Sequence, residues 1–371
     1  MPESTGLLTP VSLCGSTPHR AVLGLLLHAL NSPAYPGLEK DLAQSDAEHL
    51  AAITNHGHAQ TILITALRKT PSLTKHIPRD LEVYFTEMAR ANADRNHHAK
   101  TQLQEIANIL LPAGIPVLAL KGAADLLNPI HDRPEHRYIS DLDLLIPVDR
   151  IKDAAVLLRQ AKGLPTGSAL TEPGTHHHLA QIIHPDWLLT IELHVRPGSE
   201  VVQSVLDSKK MLRNAKSTDV EGVFIPDIQD RFLHHILHGM ELRHQTAALN
   251  LRMLADHVQY LRVMAPSEQK QCLTRLEAIG YEAWQSDLSQ LTRSLETLSP
   301  LTGDCWAARA LRNFGDPEAA RRQDTGFWIR HYLRRIWHNK TYRQQILRKL
   351  TSPTAWSEFV AFHRDRRSKF R

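Results

Sequence analysis

A change of period constrains this chain more than any other feature. Residues 20–112 repeat their apolar side chains every three or four positions, and that spacing returns from about residue 227 onward. Between about 115 and 196 the apolar runs shorten, alternate and are cut by proline and glycine. Three-and-four spacing builds a helical stripe, whereas a period of two sends side chains to alternate faces of a strand. The expected fold class is therefore α+β, with a small mixed sheet between largely helical N- and C-terminal regions. The expected divisions are 1–112 for the N-terminal helices, 113–225 for the core and 226–371 for the C-terminal helices.

Within the N-terminal region, residues 38–57 and 80–111 carry charges between their apolar positions, and Pro112 and Gly114 end the second run. "AVLGLLLHAL" (21–30) imitates the apolar centre of a signal peptide. It begins about twenty residues in, carries His28 and is followed by no small-x-small site, so a buried or amphipathic helix is expected. No run reaches the roughly 18 apolar residues of a membrane span. Cys14, Cys272 and Cys305 lie far apart with no CxxC pair, which suits a reducing compartment, and the cytoplasm is the expected location.

In the core, "IPVLAL" (115–120) reads as a strand and "KGAADLLN" as a turn into a helix. A proline-bearing loop (128–138) leads to the strand "DLDLLIP", then a helix (149–163) and a hairpin (179–195) turning at "HPD". Asp141 and Asp143 share one strand face, and Leu142, Leu144 and Ile146 take the other. Paired carboxylates repel unless a cation lies between them, and Mg²⁺ or Mn²⁺ would supply it; the alternative is two aspartates solvated at a strand end. By the same alternation Glu192 shares a face with Thr190 and His194, either as a third acid of the site or as a partnered surface glutamate. Lys121 and Gly122 open a helix where free N–H groups suit phosphate, although many strand-to-helix turns use glycine.

The order strand–KG–helix, DxD strand, helix, acid-bearing strand resembles the polymerase-β-type nucleotidyltransferase superfamily. More closely, "LALKGAADLL", "RYISDLDLLIP" and "TIELHVRP" resemble the bacterial family labelled uncharacterised nucleotidyltransferase, a likeness reaching to about residue 265. The resemblance implies transfer of a nucleoside monophosphate from an NTP to a hydroxyl of a metabolite, modified peptide or protein, in specialised biosynthesis. It implies Asp141, Asp143 and Glu192 as catalytic residues and ligands of Mg²⁺ or Mn²⁺, with Lys121, Gly122, Arg137, Ser140 and His194 toward the nucleotide. Two departures stand out: Ala123 follows Gly122 where the superfamily has Gly or Ser, and 19 residues separate Gly122 from Asp141. The rival expectations are a nucleotide-binding module without turnover, and an RNA-binding protein, which is less favoured.

Other residues carry paired readings. Arg137 either clamps a phosphate or pairs with Glu135, Ser140 orients Asp141, and His194 orients Glu192. His176, His177 and His178 invite a zinc site, but adjacent side chains splay apart and a polar loop is expected. His234 and His238, four apart, read as structural or substrate-lining; Arg252 and Asp256, also four apart, as an intrahelical ion pair. Residues 321–371 hold 14 Lys+Arg against three acids, a net of +11, and the remaining chain is net −6. The basic balance thus belongs to a tail whose aromatic and basic residues either pack on the body or bind an acidic partner.

Overall fold

The computed structural model describes residues 10–166, 177–243, 249–301 and 305–316. The basic tail and His176 lie outside the described residues. The N-terminal region holds α1 (Thr17–Ala29), α2 (Leu38–Ala43), α3 (Ala47–His56), α4 (Leu63–Lys69) and α5 (Arg79–Leu110). Next come β1 (Val117–Ala119), α6 (Lys121–Leu127), β2 (Asp141–Leu145), α7 (Ile151–Ala161) and β3 (Thr190–His194). After α8 (Glu200–Val205) and α9 (Ser208–Arg213), β4 (Lys216–Ser217) and β5 (Val223–Ile225) complete the sheet. The described chain continues through α10 (Ile228–Arg243), α11 (Leu251–Val263), α12 (Pro266–Glu277), α13 (Glu282–Thr297) and α14 (Trp306–Phe314). The α+β class is as the sequence indicates, and no described helix is long and apolar enough to cross a membrane.

The stretch 21–30 is a core helix: Ala21 through Leu27 of α1 are buried without a break. The run 38–57 divides into two helices because Asp46 caps the second, its carboxylate accepting from the His49 N–H at 3.1 Å. The sheet order is β3-β2-β1-β5-β4 and its pairing is mixed. β1 runs antiparallel to β2 and parallel to β5, β2 is parallel to β3, and β4 is antiparallel to β5. The expected hairpin at 179–195 is present in outline. Its first arm is reduced to isolated bridges, His178 with His194 and Ile182 with Ile191, and β3 takes its ladder from β2 instead.

Alternation divides the interior in two. Val117, Ala119, Leu142, Leu144, Ile146, Ile191 and Leu193 join one core with α7 and the C-terminal half of α5. Leu118, Leu120 and Leu145 face the other core, built on α1, α4, α10, α11 and α13. Asp143 and Glu192 share the parity of Leu145, so both carboxylates point toward the helical side of the sheet. α5 spans 32 residues, about 48 Å at 1.5 Å per residue. Leu81, Phe85 and Ala89 at its start enter one core, and Leu103, Ile106 and Leu110 at its end enter the other.

Candidate active site

Strand register assembles the carboxylates. β2 and β3 pair with Asp141 opposite Thr190, Asp143 opposite Glu192 and Leu145 opposite His194. On the other side of β2, the Leu120 N–H donates to the Asp143 carbonyl at 2.9 Å, which brings Lys121 alongside. Asp143 Oδ1 then accepts from Lys121 Nζ at 2.7 Å and lies 2.8 Å from His194 Nε2. The same His194 nitrogen is 3.5 Å from Glu192 Oε2, and Gln181 Nε2 donates to Glu192 Oε1. One donor atom each from Asp143, Glu192 and His194 lies within 4.8 Å of the others. Asp141, half-buried on the same face, is not part of that group, and Ser140 Oγ donates to its Oδ1 at 2.9 Å.

The electrostatics follow from burial and from these contacts. Burial alone would raise the Asp143 pKa, but Lys121 and His194 overturn it and hold the carboxyl well below the usual carboxylate range. Burial likewise opposes charge on Lys121 and His194, and the carboxylates beside them raise both instead. The His194 hydrogen bond brings Glu192 down to about 2. Asp141 is raised, first by burial and then by the Asp143 charge. Two carboxylates and an imidazole so close together suit a divalent ion, and the Lys121 ammonium on Asp143 marks a position that draws positive charge.

At the turn, the left-handed residue is Lys121 (φ 48°) and not the glycine after it. A side chain in that region costs about 1–2 kcal/mol, a strain that structures keep where a site requires it. Gly122 supplies room instead: a Cβ there would stand 3.3 Å from Ile139 and 3.8 Å from the Arg137 guanidinium.

α5 holds both loops that enter the acid-bearing strands. Asn92 and Asn96 each donate to the Arg137 carbonyl, at 3.1 and 2.9 Å, and Arg95 donates to that of Ile139 at 2.9 Å. Nearly two helical turns on, the Gln102 side chain bonds both backbone groups of Leu189, just before β3. Sequence reasoning missed these residues. Their signal was polar side chains at buried positions of an otherwise apolar helical stripe.

Beside Lys121 opens a cleft of about 590 Å³ including its solvent-open mouth, walled by α6, α10 and α11. Arg137 lines it, bound neither to Glu135 nor freely poised. Its Nε lies 3.4 Å from Asp125 and 3.2 Å from Asp256, while Glu135 pairs with Arg133. The intrahelical pair expected between Arg252 and Asp256 is not formed, because Asp256 turns to Arg137 and to His131, 2.8 Å away. Asp125 is taken by Arg231 at 2.7 Å and by the Tyr260 hydroxyl at 3.0 Å. His234 and His238 both line the cleft, and burial brings His234 down to about 3 and His238 well below its ordinary value. His177 and His178 pack their rings within 5.3 Å of His194, so two of the three adjacent histidines back the site.

Comparison with curated proteins and with solved structures returned no match. A family model described as "Uncharacterised nucleotidyltransferase" matches residues 43–292, a span holding α5, the whole sheet, the carboxylate cluster and the three helices that wall the cleft. That span is more than half of the chain, and the protein belongs to the uncharacterised nucleotidyltransferase family.

Proposed function

We propose that this protein is a metal-dependent nucleotidyltransferase that moves a nucleoside monophosphate from an NTP to a hydroxyl acceptor. The observation that carries this reading is the convergence of Asp143, Glu192 and His194 beside Lys121, in a chain of this family. In the reaction the acceptor oxygen bonds to the α-phosphorus and the bond to the β-bridging oxygen breaks. Pyrophosphate leaves with that electron pair, and the hydroxyl proton passes to a carboxylate of the site. Bound Mg²⁺ or Mn²⁺ would polarise the phosphate oxygens and lower the pKa of the attacking hydroxyl.

Asp143 and Glu192 are the residues to hold that ion, with Asp141 beside them on the same strand face. His194, fully buried and within 3.5 Å of both acids, fixes their orientation. Lys121 balances charge on Asp143, and its strained backbone commits the ammonium to that position. Placement, charge balance and a fixed polar environment are what phosphoryl-group transfer asks of a protein.

The test is the fate of label from an NTP supplied with Mg²⁺ and a cell extract as acceptor source. α-³²P is expected to enter an extract component and γ-³²P to leave as pyrophosphate. Transfer of γ-³²P to the acceptor would make the protein a kinase and defeat the reading.

A further inference from the structure

Among the described residues, one cation lining the cleft beside Lys121 makes no ion pair. Four cationic side chains line it, Lys121, Arg137, Arg231 and Arg252. Lys121 is paired with Asp143, Arg231 with Asp125, and Arg137 with Asp125 and Asp256. The Arg252 guanidinium has no carboxylate within 4.0 Å and no side-chain hydrogen bond among the described residues.

Three features make that position costly for a cation. Arg252 is only partly exposed, so its guanidinium is incompletely hydrated. Its largest charge neighbour is the like-charged Arg137. It is also the second residue of α11, a 13-residue helix whose N-terminal end carries partial positive charge and disfavours a cation. Burial, and then Arg137, bring its pKa down to about 10, which leaves it charged at neutral pH. An anion seated between the two guanidinium groups would relieve all three costs, and paired guanidiniums match phosphate geometry.

The site's position narrows the anion. Lys121 is common to the cleft and the carboxylate cluster, and Arg252 also lies within the field of Asp141. A ligand reacting at the carboxylates and extending into the cleft would present its anionic tail to Arg137 and Arg252. We propose that Arg252, with Arg137, binds the β- and γ-phosphates of the nucleotide and so receives the departing pyrophosphate. This rests on the nucleotidyl-transfer reading above. As the α–β bond breaks, charge grows on the β-phosphate oxygens, where a fixed guanidinium stabilises it.

The experiment is calorimetric titration, in Mg²⁺, of the full chain and its Arg252→Gln and Arg252→Lys variants. The probes are pyrophosphate, NTPs of all four bases and the matching monophosphates. Arg252→Gln is expected to weaken pyrophosphate and NTP binding about 10–100-fold while monophosphate binding holds; Arg252→Lys should fall between. Thermal unfolding serves as the folding control, and Arg252→Gln is expected to melt no lower than wild type, since the charge it removes makes no direct ion pair among the described residues. Undiminished NTP and pyrophosphate binding in Arg252→Gln would overturn the inference and leave nucleotidyl transfer standing. Equal loss of monophosphate binding, or a lowered melting temperature, would overturn it too, by giving Arg252 a nucleoside-contacting or structural role. Wild type that binds no NTP would overturn the nucleotidyl-transfer reading and this inference with it.

Discussion

Two side chains that carry no carbon chemistry themselves, Lys121 and Asp256, show how single residues fix the site. Lys121 combines a left-handed backbone with an ammonium 2.7 Å from Asp143. Lys121→Gly relieves the backbone and deletes the charge, whereas Lys121→Ala deletes the charge and keeps the strain. Lys121→Ala is therefore expected to be less stable than Lys121→Gly by about 1 kcal/mol in denaturant unfolding. Both should lose transfer activity, because Asp143 loses the same partner in each. At Asp256 the buried carboxylate answers Arg137 and His131. Asp256→Asn leaves a buried guanidinium short of a partner and is expected to cost about 3–5 kcal/mol. Burial alone would raise the Asp256 pKa, and Arg137 with His131 lowers it below its unfolded value. Its contribution is thus complete above the unfolded pKa of about 3.9 and disappears as pH falls through the lower folded value. The stability gap between wild type and Asp256→Asn, followed by unfolding at stepped pH, should hold near neutrality and narrow below about pH 4.

Among the elements, α5 positions the site and β2–β3 carries it. The Gln102 side chain accepts from the Leu189 N–H at 3.0 Å and donates to its carbonyl at 2.7 Å. Gln102→Leu would keep the buried volume and strand both backbone groups, at about 1–3 kcal/mol for each group left unpaired. Faster hydrogen exchange at the Leu189 amide is the specific readout, and exchange unchanged there would show that α5 does not hold β3. The two strands were legible in advance because DLDLL and TIELH alternate cleanly; their parallel pairing, which sets Asp143 opposite Glu192, was not, since alternation within a strand fixes no register with another. Gln102, Asn92 and Asn96 were not legible, since a buried amide at a helical stripe position looks like a break in the stripe until its backbone partners are known. β4 and β5, two and three residues long, are too short to show any period. Arg252 and Asp256 misled for a different reason: spacing of four permits an ion pair, but tertiary partners competed for the carboxylate and won.

On the scale of the whole molecule, the two cores lie on opposite faces of one sheet, and the polar cluster occupies the face toward the helical core. The change of period foretold a sheet-bearing segment between helical stretches of the chain, but not that N- and C-terminal helices would share one core while α7 and the end of α5 form the other. The cleft was hidden, because Lys121, Arg137, Arg231 and Arg252 lie on separate segments that only folding brings together. Nucleotidyl transfer at Asp143 and Glu192 is tested most directly by pyrophosphate release from an NTP in Mg²⁺ with the acceptor-bearing extract. Wild type, Asp143→Asn and Glu192→Gln should be compared at matched concentration, each with its thermal unfolding curve. Release by wild type is expected to fall by at least about 100-fold in both variants, the scale of losing a preorganised electrostatic group, with a cooperative unfolding transition kept. Release from Asp143→Asn at the wild-type rate would contradict the assignment of the reaction to this cluster.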